Sequence, residues 1–595
     1  MTQPGTEDPF AHLHDEDYAA ALTASRVGHA RLIALADRPR ESLCGEWLMT
    51  LDLFDEGLRQ KWYAEDDRPP SQWAVPRDYE VEAGHRVPVP SCWNLLKPEW
   101  RYFEGAAWYT REIDFVPGPP GERQILHFGG AAHAALVFVN GTCIGGHLGA
   151  STPFSVEATA ALRPGRNRLQ VMVENRRQRE RVPMHHFDWF NYGGLYREID
   201  LVRLPAVFIR AASVALVPGS GFAQLEASVT LSDPVDGAAE LRIPALDICT
   251  VIPVAGGRGT ARVAATPQLW SPDSPHLYDA YFRFGADRLG ERVGLREIRV
   301  EGERILLNGR SIFLRGACVH EDDVALGRVS DEADIRRRFA HARALGANFL
   351  RLAHYPHHER VARIADELGV LLWAEIPVYW AIDFADPATY ADAENQLLEL
   401  IARDRNRASI VLWGVGNENA DTDARLRFMS ALAGAARAAD PTRLIGAACL
   451  INRRSFRIED RLADALDVIG LNEYFGWYEA DFSGLERLLA NSAPGKPVIV
   501  SETGADAQPG HRGAGRVLFT EDWQAEFYRR QLAAIAAAPW VRGFAAWLLY
   551  DFRSERRQTG FQRGFNRKGL IAEDKTTRKL AFDVLADIYR SLPRG

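Results

Sequence analysis

Between residue 41 and about 204 the apolar positions fall in short runs rich in β-branched and aromatic side chains: EWLMTLDLF, AAWYTREIDF, RQILHFGG, AALVFVNG, NRLQVMVEN and YREIDLVRL. Gly, Pro and Asn separate them, a pattern that predicts an all-β sandwich. Asn140-Gly141 lies between VFV and CIGG and predicts a hairpin turn. Shorter alternating runs from 205 to 300 (SVALVPG, AQLEASVTL, AELRIPA, LYDAYFRFG) predict a second, immunoglobulin-like sandwich. After 300 the period changes. Eight apolar strand-like runs (SIFLRGACV, ANFLRLA, VLLWAEI, SIVLWGVG, RLIGAAC, VIGLNEY, PVIVSET, FAAWLLY) alternate with helical patterns. In the first of these patterns Ile335, Phe339, Ala342 and Leu345 repeat at helical spacing behind Ser330, read as the N-cap. Eight strands alternating with helices over 301–595 predict a TIM barrel. An open doubly wound sheet would call for a Gly-rich phosphate turn after an early strand, and the sequence has none. Residues 1–40, Ala-rich from 16 onward, predict a short helical extension.

Composition narrows the partners. The chain has 595 residues and a net charge of −8 without a basic block, which argues against nucleic acid. Its 15 Trp and 17 Tyr suit a partner with flat faces, such as a sugar. The acidic N-terminus lacks the features of a signal peptide and no 18 apolar residues run together, so a cytoplasmic protein with no membrane partner is expected. Six Cys at scattered spacing read as reduced, mostly buried thiols.

A barrel of this type carries its active site where the strands end. The residues finishing these runs are polar: His320 to Asp323, Arg351 with His354 and His357, Glu375, Asn417-Glu418, Asn472-Glu473-Tyr474, Glu502, and Trp547 with Asp551. Such a ring fits glycoside hydrolysis, which needs two carboxyl groups and aromatic walls for the sugar. It also admits metal-assisted hydrolysis through His320, His354, His357 and His358, although the HxH spacing of strand-borne metal sites is missing. The residues alone do not choose two acids from Glu375, Glu418, Glu473 and Glu502. An amide beside an acid, as at Asn417, suits a hydrogen bond to a sugar 2-hydroxyl.

The stretches VPVPSCWN (87–94), HFDWFNYGGLYREIDL (186–201), LRGACVHED (314–322), RLAHYPH (351–357), GNE (416–418), LNEYFGWY (471–478), VSETGAD (500–506) and NRKGL (566–570) occur in one order along the chain. In these the sequence resembles glycoside hydrolase family 2, and within it the β-glucuronidases. The resemblance implies a jelly-roll sugar-binding-like domain (41–204), an immunoglobulin-like sandwich (205–300) and a catalytic barrel (301–595). It implies a retaining exo-glycosidase acting on a carbohydrate without cofactor or metal, with Glu418 as acid/base and Glu502 as nucleophile about 5 to 5.5 Å apart. Glu418 then starts protonated, and Glu502 is expected to stay ionised through Tyr474 and Arg351. Asp188, Arg351, His354, Asn417, Tyr474, Tyr478 and Trp547 form the implied sugar pocket. Asn566 and Lys568, with Arg563, would bind a uronate carboxylate; Arg563 lies one position closer to Asn566 than the family's arginine does. A galactosidase or galacturonidase of the same family, or a non-catalytic carbohydrate binder, stands as the alternative. Relatives of this kind often assemble, so a homo-oligomer is expected.

Overall fold

The computed structural model describes residues 26–65, 79–80 and 83–592. They fall into two compact units, one built on Arg38–Arg176 and Tyr192–Phe208, the other on Arg177–Asn191 and everything from Ile209 onward.

The first unit is a two-sheet sandwich of six and four strands. Its longest ladder pairs Ala106–Phe115 with Gly165–Glu174 over ten residues, antiparallel. Alternate side chains from both sheets, among them Trp47, Leu126, Phe128, Val137, Leu169 and Val171, form one core, as period-2 patterning requires. Asn140 and Gly141 take positive φ (49° and 79°) at the predicted hairpin, the conformation a two-residue turn matching strand twist demands.

The second unit begins with seven antiparallel strands between Ile209 and Val293. Along Gln224–Leu231 every second residue is buried. This sheet is fixed to the barrel through polar side chains: the Trp270 indole N–H donates to the Asp366 carbonyl (2.9 Å), and Arg407 pairs with Glu291. The barrel closes with β1 (Leu314–Val319), β2 (Phe349–Leu352), β3 (Leu371–Glu375), β4 (Ile410–Asn417), β5 (Leu444–Cys449), β6 (Val468–Asn472), β7 (Val498–Thr503) and β8 (Val541–Ala546). Every residue of these strands is buried except the half-buried Arg542, because helices cover one face and the barrel interior the other.

Three expectations need correction. The helix behind β1 runs Glu332–Ala344, and its cap is Asp331 rather than Ser330: the Asp331 carboxylate accepts the Asp334 N–H at 2.7 Å, while Ile335, Phe339, Ala342 and Leu345 are buried as the spacing implied. Residues 1–25 of the expected N-terminal helix lie outside the described residues. From 26 to 40 the chain forms a bridge, a single 3-10 turn (His29–Arg31) and the start of a strand. Finally, only Cys92, Cys318 and Cys449 are buried, whereas Cys143 and Cys249 are exposed on the sandwiches. One helix, Ser483–Asn491 between β6 and β7, has no counterpart in the sequence reading.

Candidate active site

Arg351, at the third position of β2, is fully buried at the centre of the barrel mouth. Its Nε–H and one Nη–H donate to the two oxygens of Glu375, at the end of β3, both at 3.0 Å. The other Nη donates to Glu502 Oε1 on β7 at 2.8 Å, and a further N–H reaches Asn417 Oδ1 at 2.7 Å. Glu502 Oε2 accepts the Tyr474 hydroxyl at 2.9 Å. His354 donates from Nδ1 to Glu375 at 2.8 Å. Burial, then the neighbouring Arg351 and His357, keep its imidazole well below the ordinary value, so it is neutral.

Glu418 follows β4 with φ of 52°, in the left-handed region that a non-glycine residue rarely adopts. That turn projects its carboxylate off the strand end. Oε2 accepts the Trp380 indole N–H (2.8 Å) and Oε1 accepts Asn472 Nδ2 (3.1 Å). Asn472 donates as well to Asn417 Oδ1 at 3.1 Å. With Oδ1 of Asn417 occupied by two donors, its amide orientation is set, and its buried Nδ2 is left without an acceptor. Such an orphan donor is costly unless something else bonds it.

This floor holds more acid than base: Glu375 and Glu502 share Arg351, and Glu418 joins the same network through Asn472. Burial pushes Glu502 up to about 8, with Arg351 opposing and Glu418 reinforcing. The expectation of a readily ionised Glu502 is therefore corrected, because one guanidinium and one phenol do not offset full burial beside two like charges. Glu375 is raised for the same first reason. Glu473, the fourth acid of the ring, turns away from the mouth and accepts from the Phe475 N–H (3.0 Å) and Gln531 (3.2 Å); burial lifts it to about 7.

A second polar group forms one wall. Lys568 is buried and paired with Asp506, and its ammonium also donates to the Tyr478 hydroxyl oxygen at 3.2 Å. Arg557 donates to that same oxygen at 3.2 Å and pairs with Asp188, which Ser554 also bonds. Burial works against the charge on Lys568, but Asp506 outweighs it and the amine titrates above its ordinary value. Asn566 is buried and accepts the Lys568 backbone N–H at 3.2 Å. Tyr478 is 56% exposed, so its ring faces the opening and not the core. Trp547, at the end of β8, lies nearly parallel to His354 with ring centroids 5.1 Å apart.

The structure thus brings together Arg351, His354, Asn417, Glu418, Tyr474 and Glu502 in one network, and Asp188, Tyr478 and Lys568 in the other. It does not bring Arg563 to either. The Arg563 side chain is exposed and donates to the Gly560 carbonyl at 2.9 Å, whereas Arg557, six residues earlier, occupies the position beside Lys568. Asp188, on the FDWFNYGG loop of the first domain's sequence, lies in the segment Arg177–Asn191, which groups in space with the unit that contains the barrel. Sequence reasoning left out Trp380, Asp506 and Arg557, and named Asn472 only as part of the ring. Asp506 lies in the quoted VSETGAD stretch, and Trp380 follows β3, so both carried a signal. Among the described residues no group of three His, Cys, Asp or Glu is disposed to hold a metal ion.

Fold and site together define a carbohydrate-active barrel enzyme, and comparison with known proteins agrees. Residues 298–590 match the TIM barrel domain of glycosyl hydrolases family 2, and residues 40–205 match the sugar binding domain of the same family. The chain belongs to glycosyl hydrolase family 2. It is 29% identical to a β-glucuronidase of Paenibacillus borealis, across 91% of this chain and 96% of that one. It is 26% identical to the β-glucuronidase of Homo sapiens, across 92% and 90%. Among solved structures, a β-galacturonidase from Eisenbergiella tayi bound to galacturonate superposes with a TM-score of 0.81 (28% identity, 94% of this chain and 98% of that one). A Bifidobacterium dentium β-glucuronidase complexed with coumarin-3-O-glucuronide gives 0.82 (26% identity, 94% and 98%).

Proposed function

We propose that this glycosyl hydrolase is a retaining exo-β-glucuronidase. The observation that carries the sugar assignment is the convergence of two cations, Lys568 and Arg557, on one exposed phenol oxygen beside the Glu418 and Glu502 network. A uronate carboxylate can take the place of that phenol as shared acceptor, through charge-assisted hydrogen bonds. A neutral hexose offers no such group. The β-glucuronidases among the chain's relatives support the same choice.

In this reading Glu502 attacks the anomeric carbon, held by Arg351 and Tyr474, while Glu418 gives its proton to the glycosidic oxygen. Water then enters with Glu418 as base and releases the sugar with retained configuration. The two carboxyls need one proton between them. Burial and mutual repulsion, which raise Glu502, also favour keeping that proton on the pair at neutral pH. The orphan Nδ2 of Asn417 supplies a donor for the sugar 2-hydroxyl, a bond that strengthens as the oxocarbenium-like transition state forms. Trp547 and Tyr478 offer aromatic faces.

A second reading, β-galacturonidase, shares this site, since the two cations would meet the C6 carboxylate of either epimer, and the Eisenbergiella tayi relative acts in its favour. Turnover of nitrophenyl β-glucuronide, β-galacturonide and β-galactoside decides between them. The uronides should exceed the galactoside by roughly 10²-fold in kcat/KM, the worth of one or two charge-assisted hydrogen bonds. A galactoside turned over as fast as the uronides would overturn the assignment.

A further inference from the structure

A cavity opens beside Glu418 at the barrel mouth. If Glu418 protonates the glycosidic oxygen, the aglycone must lie on the Glu418 side of the sugar. There the structure has a cavity of about 580 Å³ bounded by Glu418, Asn472 and Tyr474 and by the segment 450–454 that follows β5. None of Asp188, Arg557, Asn566 or Lys568 lines it, so it is separate from the uronate wall. Its volume falls within the roughly 300–1,000 Å³ of pockets that take a drug-sized ligand, more than a small alcohol needs.

The segment is held in shape. Asn452 Oδ1 accepts the backbone N–H groups of Arg454 (2.9 Å) and Ser455 (3.2 Å). Asn491 donates to the Ser455 carbonyl at 3.2 Å, and the Ile458 N–H donates to Ser492 Oγ at 3.0 Å. Leu450, 41% exposed, and Ile451 give the cavity an apolar edge. Arg453 is neutralised by Glu479. Arg454 has no carboxylate partner among the described residues, in a protein whose net charge is −8. The other acid of the lining, Glu473, is turned inward onto Phe475 and Gln531. A second cation, Arg556, lies 4.6 Å from the Trp380 ring whose N–H holds Glu418. The connection after β3 is short, occupying only 376–386 before the helix at Pro387.

From these observations, and resting on the assignment of Glu418 as proton donor, we infer that the natural aglycone is an anionic saccharide. The sugar next to the terminal uronate carries a carboxylate or a sulfate that Arg454 meets, while its apolar face lies on Leu450 and Ile451. An exposed pair of this kind is worth up to about 1 kcal/mol, a factor of about five.

The test is a set of β-glucuronosyl disaccharides whose reducing sugar is neutral, carboxylated or sulfated, with nitrophenyl β-uronides as reference. The anionic disaccharides should show about fivefold higher kcat/KM than the neutral one at low ionic strength, an advantage that salt erodes. In Arg454→Gln the ratio of anionic to neutral should fall to near one. Whichever of carboxylate and sulfate shows the larger ratio identifies the source of the charge. Equal turnover of all three disaccharides by the natural protein, or a ratio unchanged in Arg454→Gln, overturns this inference while nitrophenyl uronides are still cleaved. If those too are not cleaved, the proposed activity falls, and this inference with it.

Discussion

The two polar groups at the barrel mouth use similar residues to opposite effect. Around Arg351, two buried carboxylates, Glu375 and Glu502, share one guanidinium with the half-buried Glu418 close by, and burial, reinforced at Glu502 by Glu418, pushes protons onto the two buried acids. Around Tyr478, two cations face two carboxylates, and the charges stay in place: burial opposes ionisation of Asp506, but Lys568 outweighs it and holds that carboxyl below its usual range. The unbalanced group is suited to moving a proton. The balanced one is suited to holding an anion, because a carboxylate that displaces the phenol meets two permanently charged donors that are already oriented.

The largest expected effect tests the unbalanced group. Glu502→Ala should lower kcat on nitrophenyl β-glucuronide by about 10⁴-fold or more, since removing the attacking group disables the remaining residues that act with it. Residual turnover near that of the natural protein would remove Glu502 as nucleophile. The balanced group comes next. Lys568→Met should cost about 10- to 150-fold in kcat/KM for the uronide, the range of one hydrogen bond to a charged group. The corresponding neutral glycoside should lose far less, and equal losses on both would mean that Lys568 supports the loop and not the carboxylate.

A pH profile sharpens the contrast. With Glu502 raised to about 8 by burial and by Glu418, the pair keeps one proton until the pH climbs through that value, so kcat/KM should fall on the alkaline side there. In Glu418→Gln the proton donor is gone and so is the repulsion. For an activated aryl uronide, whose departure needs little protonation, the rate should now rise with pH through the Glu502 ionisation, at a midpoint below 8. A mutant profile that still falls near pH 8 would show that the alkaline limb belongs to another group.

How far the sequence revealed this depends on whether local pattern or distant contact set each feature. The barrel strands were legible because parallel strands buried on both faces read as apolar runs, and residues at or just past their ends, such as Glu502 and Glu418, mark the mouth by position alone. The charge state of Glu502 was not legible, since it follows from burial beside Glu375 and Glu418 brought from other strands. The cap at Asp331 missed by one residue because Ser330 and Asp331 both suit the role. The stretch after β8 was the least readable. Between the two-residue strands Phe552–Arg553 and Phe565–Asn566 it has no period, and it carries Arg553, Arg556, Arg557 and Arg563. The partner that selects Arg557 is Asp188, 369 residues away in sequence.

That choice of arginine gives the smallest expected effect and a clean separation of the two readings. Arg563→Ala removes an exposed side chain whose contact is the nearby Gly560 carbonyl, so kcat/KM for the uronide should change by less than about twofold, as surface substitutions away from special features do. Arg557→Ala should cost about tenfold or more on the same substrate, because it also leaves Asp188 without its cation. Since Arg563 sits at φ of 50°, Arg563→Gly relieves backbone strain there and should leave the melting temperature unchanged or slightly higher. Should Arg563→Ala lose uronide activity as heavily as Arg557→Ala at an unchanged melting temperature, the loop must turn Arg563 inward when substrate binds, and position along the chain would have been the better guide.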